Sequence, residues 1–327
     1  MMWKRVIRAA VARAGGVMLS RRGFDVLRRT RAKAIAELTA VEAANLKPGV
    51  TGVVFSKDRA LQIYTLLDSY CALVTNPAPL VVLYNASTPA HAAAYEEVAK
   101  AFAKAPAPIR FVRETEKFAV LLPTILATVA TRNIFFLVDD IVLIRPLDLT
   151  LAATIDPLQH VLSLRLSPHL RRSYTAHMDQ RPPAFAYSPV FADYGYDVVT
   201  FRWFEQGNEW SYPYSVDGHV FSTAEIRVLS RLASYKAPNT YEAALMDFQD
   251  LCEGRSGVCY AESKLLNLPL NRVQDEVANL AGSITPDFLL EQFQKGFMLD
   301  VAPLRTHTPT APHEELTVGF VARPARR

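Results

Sequence analysis

Residues Asn133–Leu149 read NIFFLVDDIVLIRPLDL. Five apolar residues, Ile134–Val138, run straight into two carboxylates, Asp139 and Asp140, and apolar residues resume at Ile141. A run this short, apolar on both faces, reads as a strand buried on both sides of a sheet. Two adjacent carboxylates at the end of such a strand repel each other, and one would be forced to hold its proton unless a cation compensates. Oxygen ligands suit Mg2+ or Mn2+, and Mg2+ binds one or two carboxylates plus phosphate oxygens, so the pair also predicts a phosphate-bearing ligand. The plainer alternative has Asp139 capping the following turn and Asp140 pairing with Arg145.

Working outward, the pattern before this strand alternates strand and helix. Val50–Phe55 is β-rich, and Ala60–Leu73 places Leu61, Tyr64, Leu67 and Cys71 on one helical face. Leu80–Tyr84 is a second strand, Pro89–Lys104 a helix, Ile109–Val112 a third strand and Ala119–Ala130 a third helix. This alternation predicts an α/β fold, a mostly parallel central sheet with helices on both faces. Ligands of such sheets bind beyond the carboxyl ends of the strands. Those ends carry Ser56-Lys57-Asp58-Arg59, Asn85-Ala86-Ser87-Thr88, Arg113-Glu114-Thr115-Glu116-Lys117 and Asp139-Asp140.

The chain has 327 residues, half of them hydrophobic and 21% charged, enough for a large core and incompatible with disorder. Its net charge of +4 is unevenly placed. Residues 1–50 hold 11 Lys/Arg against 3 Asp/Glu, and the remaining chain holds 25 against 29. A mildly acidic body with a basic extension is not a globally basic nucleic-acid binder. Three cysteines, Cys71, Cys252 and Cys259, make no disulfide framework, which points to a reducing, cytoplasmic setting. No apolar run reaches membrane-spanning length, and Arg8 and Arg13 interrupt any signal-peptide core.

The basic extension, residues 1–49, carries two helical patterns. Trp3, Val6, Ile7, Ala10, Val11 and Ala14 form one apolar face, and Gly15-Gly16 ends it. Phe24, Leu27, Ala34, Ile35, Leu38 and Val41 form a second, with Lys47-Pro48-Gly49 as a linker. Such helices anchor to anionic lipid, dock a partner, or simply pack on the body.

The runs VVFSKDRALQ (53–62), LVVLYNAST (80–88), FVRETEKF (111–118) and NIFFLVDDIVLIRPLDL (133–149) together resemble a GT-A nucleotide-sugar glycosyltransferase. The likeness is to the large inverting bacterial family that includes polysaccharide and lipopolysaccharide transferases. It covers residues 50–150, which the resemblance makes the nucleotide-sugar-binding half. Residues 151–327 become the acceptor-binding and catalytic half. It implies a metal-dependent transfer of sugar from a nucleoside-diphosphate sugar to a glycan or lipid-linked acceptor, with Mn2+ or Mg2+. Phe55, Ser56, Asp58 and Arg59 would line the nucleotide pocket, with Asn85 near the base and Asp139 at the ribose or sharing the metal. Asp140 would bind the metal at a DxD-like motif in which the position two beyond Asp139 is Ile141. A late histidine, His219 or His313, would complete the metal shell.

Chemistry asks for one more group. A base must take the acceptor hydroxyl proton, and a carboxylate is the usual one in this fold. Asp217, in the aromatic and turn-rich SVDGHVF segment, is favoured slightly over Glu242 in PNTYEAAL, and Asp247 is a third candidate. Glu242 also reads as a first-turn carboxylate of a helix capped by Asn239 or Thr240. Arg165 would meet the diphosphate or an acidic acceptor, or else pair with a body carboxylate. A nucleotidyltransferase is the alternative enzyme, but no glycine lies within Ser56–Gln62 to cradle phosphate. A catalytically silent scaffold of the same fold is the alternative outside enzymes. The transferase reading places the protein in the cytoplasm, where the basic arm would hold it peripherally on the anionic inner face of the plasma membrane.

Overall fold

The computed structural model describes residues 21–192, 197–271 and 284–324. Its main elements in chain order are α1 (Arg21–Ala43), β1 (Lys47–Lys57), α2 (Ala60–Leu73), β2 (Leu80–Asn85), α3 (Pro89–Ala101), β3 (Ile109–Arg113), α4 (Phe118–Thr128), β4 (Thr131–Val138) and β5 (Ile141–Leu143). They continue with β6 (His160–Ser163), β7 (Val198–Arg202), β8 (His219–Ser222), α5 (Thr223–Leu232), α6 (Pro238–Leu245), β9 (Ser256–Tyr260), β10 (Leu265–Asn267) and α7 (Pro286–Gln294). Eight strands form one sheet in the order β7-β9-β6-β8-β4-β1-β2-β3. The β4-β1-β2-β3 half is wholly parallel, as the alternating sequence pattern predicts. β8 runs antiparallel to both β4 and β6, which makes the sheet mixed.

Alternate residues of the central strands feed two cores, because successive side chains of a strand point to opposite faces. Val54, Val82, Phe135 and Leu137 pack under α2 and α3, and Val53, Phe55, Leu83, Ile134 and Phe136 pack under α4, α5 and α6. The parallel strands therefore read as continuous apolar runs, and their polar ends gather along one rim.

One sequence expectation changes here. Lys47-Pro48-Gly49 is not a linker: it opens β1, where Lys47 N–H donates to Ala130 O at 2.9 Å, and a register shift separates Lys47 from Val50. Gly49, at φ +128°, supplies the backbone freedom that irregularity needs. The helix of the basic extension packs on α5 and on the turn after α6. Ile35 and Thr39 are buried, Arg28 and Arg31 pair with Asp250, and Glu42 pairs with Arg227 and Arg231. Its outer side leaves Val26, Leu27, Leu38 and Val41 exposed. The amphipathic pattern of residues 3–14 lies outside the described residues. All three cysteines are free, with Cys252 and Cys259 separately buried.

Gly218 joins the turn after Asp217 to β8. Its φ is +81°, its N–H donates to Phe136 O at 2.7 Å, and a Cβ there would lie 2.4 Å from Leu265 Cδ1. Gly218→Ala therefore adds left-handed backbone strain to an overpacked contact. Chemical denaturation should show a loss of about 2–4 kcal/mol; a loss below about 1 kcal/mol would mean the turn relaxes freely.

Candidate active site

The rim of the sheet opens into a cavity of about 600 Å3, within the usual range for small-molecule sites. One wall is the carboxylate pair. Asp139 Oδ2 accepts from Ser56 Oγ at 2.8 Å and from Lys57 N–H at 3.1 Å, and its Oδ1 accepts from Arg59 Nη1 at 2.7 Å. The same Nη1 lies 3.1 Å from Asp140 Oδ2. Arg59 is thus the resident counter-charge of the pair, and its other nitrogen donates to Asn271 O. Burial alone would lower the Arg59 pKa, but Asp139 and Asp140 hold the guanidinium protonated. The alternative partner, Arg145, pairs instead with Glu262.

One cation does not neutralise two buried carboxylates. Burial, reinforced by the charges of Asp139 and Asp217, pushes the Asp140 carboxyl up to about 6 against the pull of Arg59 and His313. Asp140 Oδ1 also accepts from Asn267 Nδ2 at 2.8 Å. The contact follows from β10 pairing antiparallel with β5, which sets Asn267 opposite Ile141. A bridge between Asn267 and His313 then delivers the histidine to the same place.

The same cavity also holds Asp217, His313, Arg165 and Glu242. His313 Nε2 lies 2.9 Å from Asp217 Oδ2. Burial disfavours both charges, yet each stabilises the other: Asp217 sits below the ordinary carboxylate range and His313 above the ordinary imidazole value. His313 Nδ1 is buried without a hydrogen-bond partner. Arg165 takes the pairing role: its Nη2 donates to Glu209 at 2.8 Å and its Nη1 lies 3.8 Å from Asp217.

Glu242 stands on the second turn of α6. That helix begins at Pro238, whose missing N–H costs nothing there, and Thr240 Oγ1 accepts from the N–H groups of Lys236 and Ala237. Ala237, rather than Asn239 or Thr240, occupies the capping position. Glu242 Oε1 accepts from Ser215 Oγ at 2.9 Å and Val216 N–H at 3.0 Å, and no protein donor among the described residues reaches Oε2. Burial, then the charge of Asp217, pushes its carboxyl up to about 7.

The cavity thus brings together Phe55, Ser56, Arg59, Asn85, Asp139, Asp140, Asp217, Glu242 and His313. Three expected residues fall outside its lining. Asp58, at φ +53°, accepts from Ser87 N–H at 2.7 Å and Ser87 Oγ at 2.6 Å, and so ties the loop after β1 to the loop after β2. His219 is fully buried behind the wall. Its Nδ1 donates to Pro213 O at 2.9 Å, and burial pushes it down to about 3, so it is neutral and shapes the turn that carries Asp217. It is not placed to be a metal ligand. Asp247 lies on the exposed side of the turn after α6, where its carbonyl meets Arg31. Asn267 and Asn271 are the residues that sequence reasoning missed. They belong to LNLPLN (266–271), a segment whose role depends on pairing with β5.

The donor set fits a divalent cation of limited kind. Among the described residues, no group of three His, Cys, Asp or Glu is arranged to hold a metal. Asp140 and the orphaned Nδ1 of His313 nevertheless form two donors on one cavity. The Asp217–His313 hydrogen bond is of the type that orients a metal-binding imidazole. Such a site would need a ligand's phosphate oxygens to complete it.

No protein-family model matches this chain, and no curated protein matches it by sequence. Among solved structures, the mannosyltransferase PcManGT from Pyrobaculum calidifontis, in complex with GDP-Man and Mn2+, aligns over 42% of this chain at 20% identity with a TM-score of 0.29. Glucosyl-3-phosphoglycerate synthase from Mycobacterium tuberculosis, in complex with Mn2+, UDP-glucose and glycerol 3-phosphate, aligns over 69% of this chain and 74% of its own at 16% identity and TM-score 0.37. The WbbM bifunctional glycosyltransferase aligns over 63% of this chain and 38% of its own at 14% identity and TM-score 0.34. The aligned part spans 46% of the length of the first of these structures.

Proposed function

We propose that this chain is a metal-dependent glycosyltransferase of the GT-A type, moving sugar from a nucleoside-diphosphate sugar to a glycan or lipid-linked acceptor. The observation that carries the reading is convergence: the ends of β1, β2 and β4, the Asp217–His313 pair and a half-anchored Glu242 meet in one cavity. The strand-end wall receives the nucleotide. Asp140 and His313 would hold the divalent cation, which as a Lewis acid offsets charge developing on the departing diphosphate. Asp217 orients His313 through Nε2, and Arg59 and Asn267 fix Asp139 and Asp140.

In the same cavity, Glu242 Oε2 takes the acceptor hydroxyl proton while Oε1 stays tied to Ser215 and Val216. The acceptor oxygen bonds to the anomeric carbon as the carbon–oxygen bond to the diphosphate breaks. A base is most effective when its pKa lies near the working pH, which supports Glu242 over Asp217, whose negative charge is already committed to His313 and Arg165. No described helix is long and apolar enough to cross a membrane. The exposed apolar side of α1, on a basic N-terminal segment, supports peripheral contact with an anionic membrane surface in the synthesis of cell-surface polysaccharide.

Calorimetry with uridine, guanosine and cytidine diphosphates, with and without Mn2+, tests the core of this. At least one should bind in a Mn2+-dependent manner, and Asp140→Ala should weaken that binding by roughly 10–100-fold, the range for losing a charged partner. Absence of binding by all three, or binding indifferent to Asp140→Ala, would overturn the proposal.

A further inference from the structure

β1, β2 and β3 are parallel and in register, so their matched residues share a face. Phe55 pairs with Leu83 and Lys57 with Asn85. Tyr84 pairs with Arg113, and Glu114 N–H continues the ladder to Tyr84 O at 2.8 Å. The step after Tyr84–Arg113 therefore sets Glu114 beside Asn85. The result is a row of three polar residues, Lys57, Asn85 and Glu114, across neighbouring strand ends. Immediately behind it lies an apolar floor of Phe55 and Leu83, with the Phe118 ring edge-on to Phe55 at 5.4 Å. All six line the cavity. Among the described residues, no hydrogen bond or ion pair uses the side chains of Lys57, Asn85 or Glu114. Three neighbouring polar side chains without protein partners, beside an apolar floor, form a reading edge for a planar heterocycle.

The row also lies at a suitable distance from the carboxylate pair. Asp139 and Asp140 follow β4, and β2 and β3 are two and three strands away from it, roughly 10–14 Å at ordinary strand spacing. That is about the reach of a nucleoside diphosphate.

The chemistry of the row discriminates among bases. A carboxylate accepts two N–H groups and donates none. Guanine presents N1–H and the N2 amino group side by side, with O6 next to them for a donor such as the Asn85 amide or the Lys57 ammonium. Uracil presents one N–H flanked by two carbonyl oxygens, so a carboxylate gains a single hydrogen bond there and sets its second oxygen against a carbonyl. Adenine and cytosine turn a ring-nitrogen lone pair toward it. Resting on the reading of this cavity as a nucleoside-diphosphate site, we infer that the donor is a guanosine-diphosphate sugar, with Glu114 reading the N1–H and N2 amino edge.

The test is calorimetry on the full chain with Mn2+ and GDP, IDP, UDP and ADP. Inosine diphosphate keeps N1–H and O6 and lacks only the N2 amino group. GDP should bind more tightly than IDP, and roughly 10–100-fold more tightly than UDP or ADP, the discrimination of one bidentate pair. Glu114→Gln should weaken GDP most and IDP less, leave UDP and ADP unchanged, and bring the four ligands within a few-fold of one another. Equal or tighter binding of UDP, ADP or IDP by the wild-type chain overturns the inference without any variant. A Glu114→Gln variant that weakens all four equally, or none, also overturns it. Failure of every nucleotide to bind overturns instead the nucleotide-sugar reading on which it stands.

Discussion

Glu242→Gln should reduce sugar transfer by 10^2–10^4-fold, the usual contribution of a positioned general base, while nucleoside-diphosphate affinity stays within a few-fold. Glutamine keeps a carbonyl oxygen for Ser215 Oγ and Val216 N–H, so the wall should not rearrange. The pH dependence makes the prediction specific. With the Glu242 carboxyl pushed up to about 7, wild-type transfer should climb about tenfold per pH unit below 7 and level above it. The residual activity of the variant should lose that limb.

Stability moves the opposite way. A carboxyl whose folded-state pKa is raised from 4.5 to about 7 favours the native state only while protonated, so wild type loses stability as pH rises through that window. Glu242→Gln carries no such cost and should be the more stable protein at pH 8, the exchange of stability for activity that buried catalytic groups impose. Steady-state kinetics and denaturant melts across pH 5–8 check both halves. Transfer within tenfold of wild type would return the role of base to Asp217 or remove it from the protein.

Arg59→Met should be the most destabilising single change near the cavity. The guanidinium is buried and contacts both Asp139 and Asp140, so its removal strands two carboxylates, a loss of about 3–5 kcal/mol for a broken buried pair. The sign with pH follows from the same geometry. Without the cation, which now pulls it down, the Asp140 carboxyl rises further above its unfolded value. The variant is therefore least stable at high pH and recovers as the pair takes up a proton toward pH 5. Wild type shares the losses from Glu242 and Asp140 over this range but keeps the counter-charge, so it should lose less than the variant. Urea melts at pH 8 and pH 5 measure the difference, and a cost below about 1 kcal/mol at pH 8 would show that Arg59 is dispensable to the pair.

Much of this site was legible one residue at a time. Leu80–Asn85 and Thr131–Val138 are strands because their apolar runs can be buried on both faces, and α2 ends where its apolar face ends. Ser56, Asn85 and Asp139 reach the cavity because parallel strands deliver the residues after them to a common rim. What misled was partnership. Arg59 reads as a free nucleotide-pocket cation until its 80-residue separation from Asp139 is closed by the sheet. His219 and His313 are indistinguishable as isolated histidines, yet β8 turns one into the core while the bridge to Asn267 carries the other to Asp217.

The sequence by itself determined the alternating α/β core, the parallel half of the sheet, and the row of strand ends where polar chemistry collects. These follow from periodicity and burial, which are properties of contiguous residues. Only the tertiary structure decided which charge faces which: Arg59 on the carboxylate pair, Asn267 beside Asp140, Glu242 anchored by Ser215, and Lys57, Asn85 and Glu114 in one line. Those contacts depend on strand order and register, set by the packing of the whole sheet, so no local stretch of sequence encodes them alone.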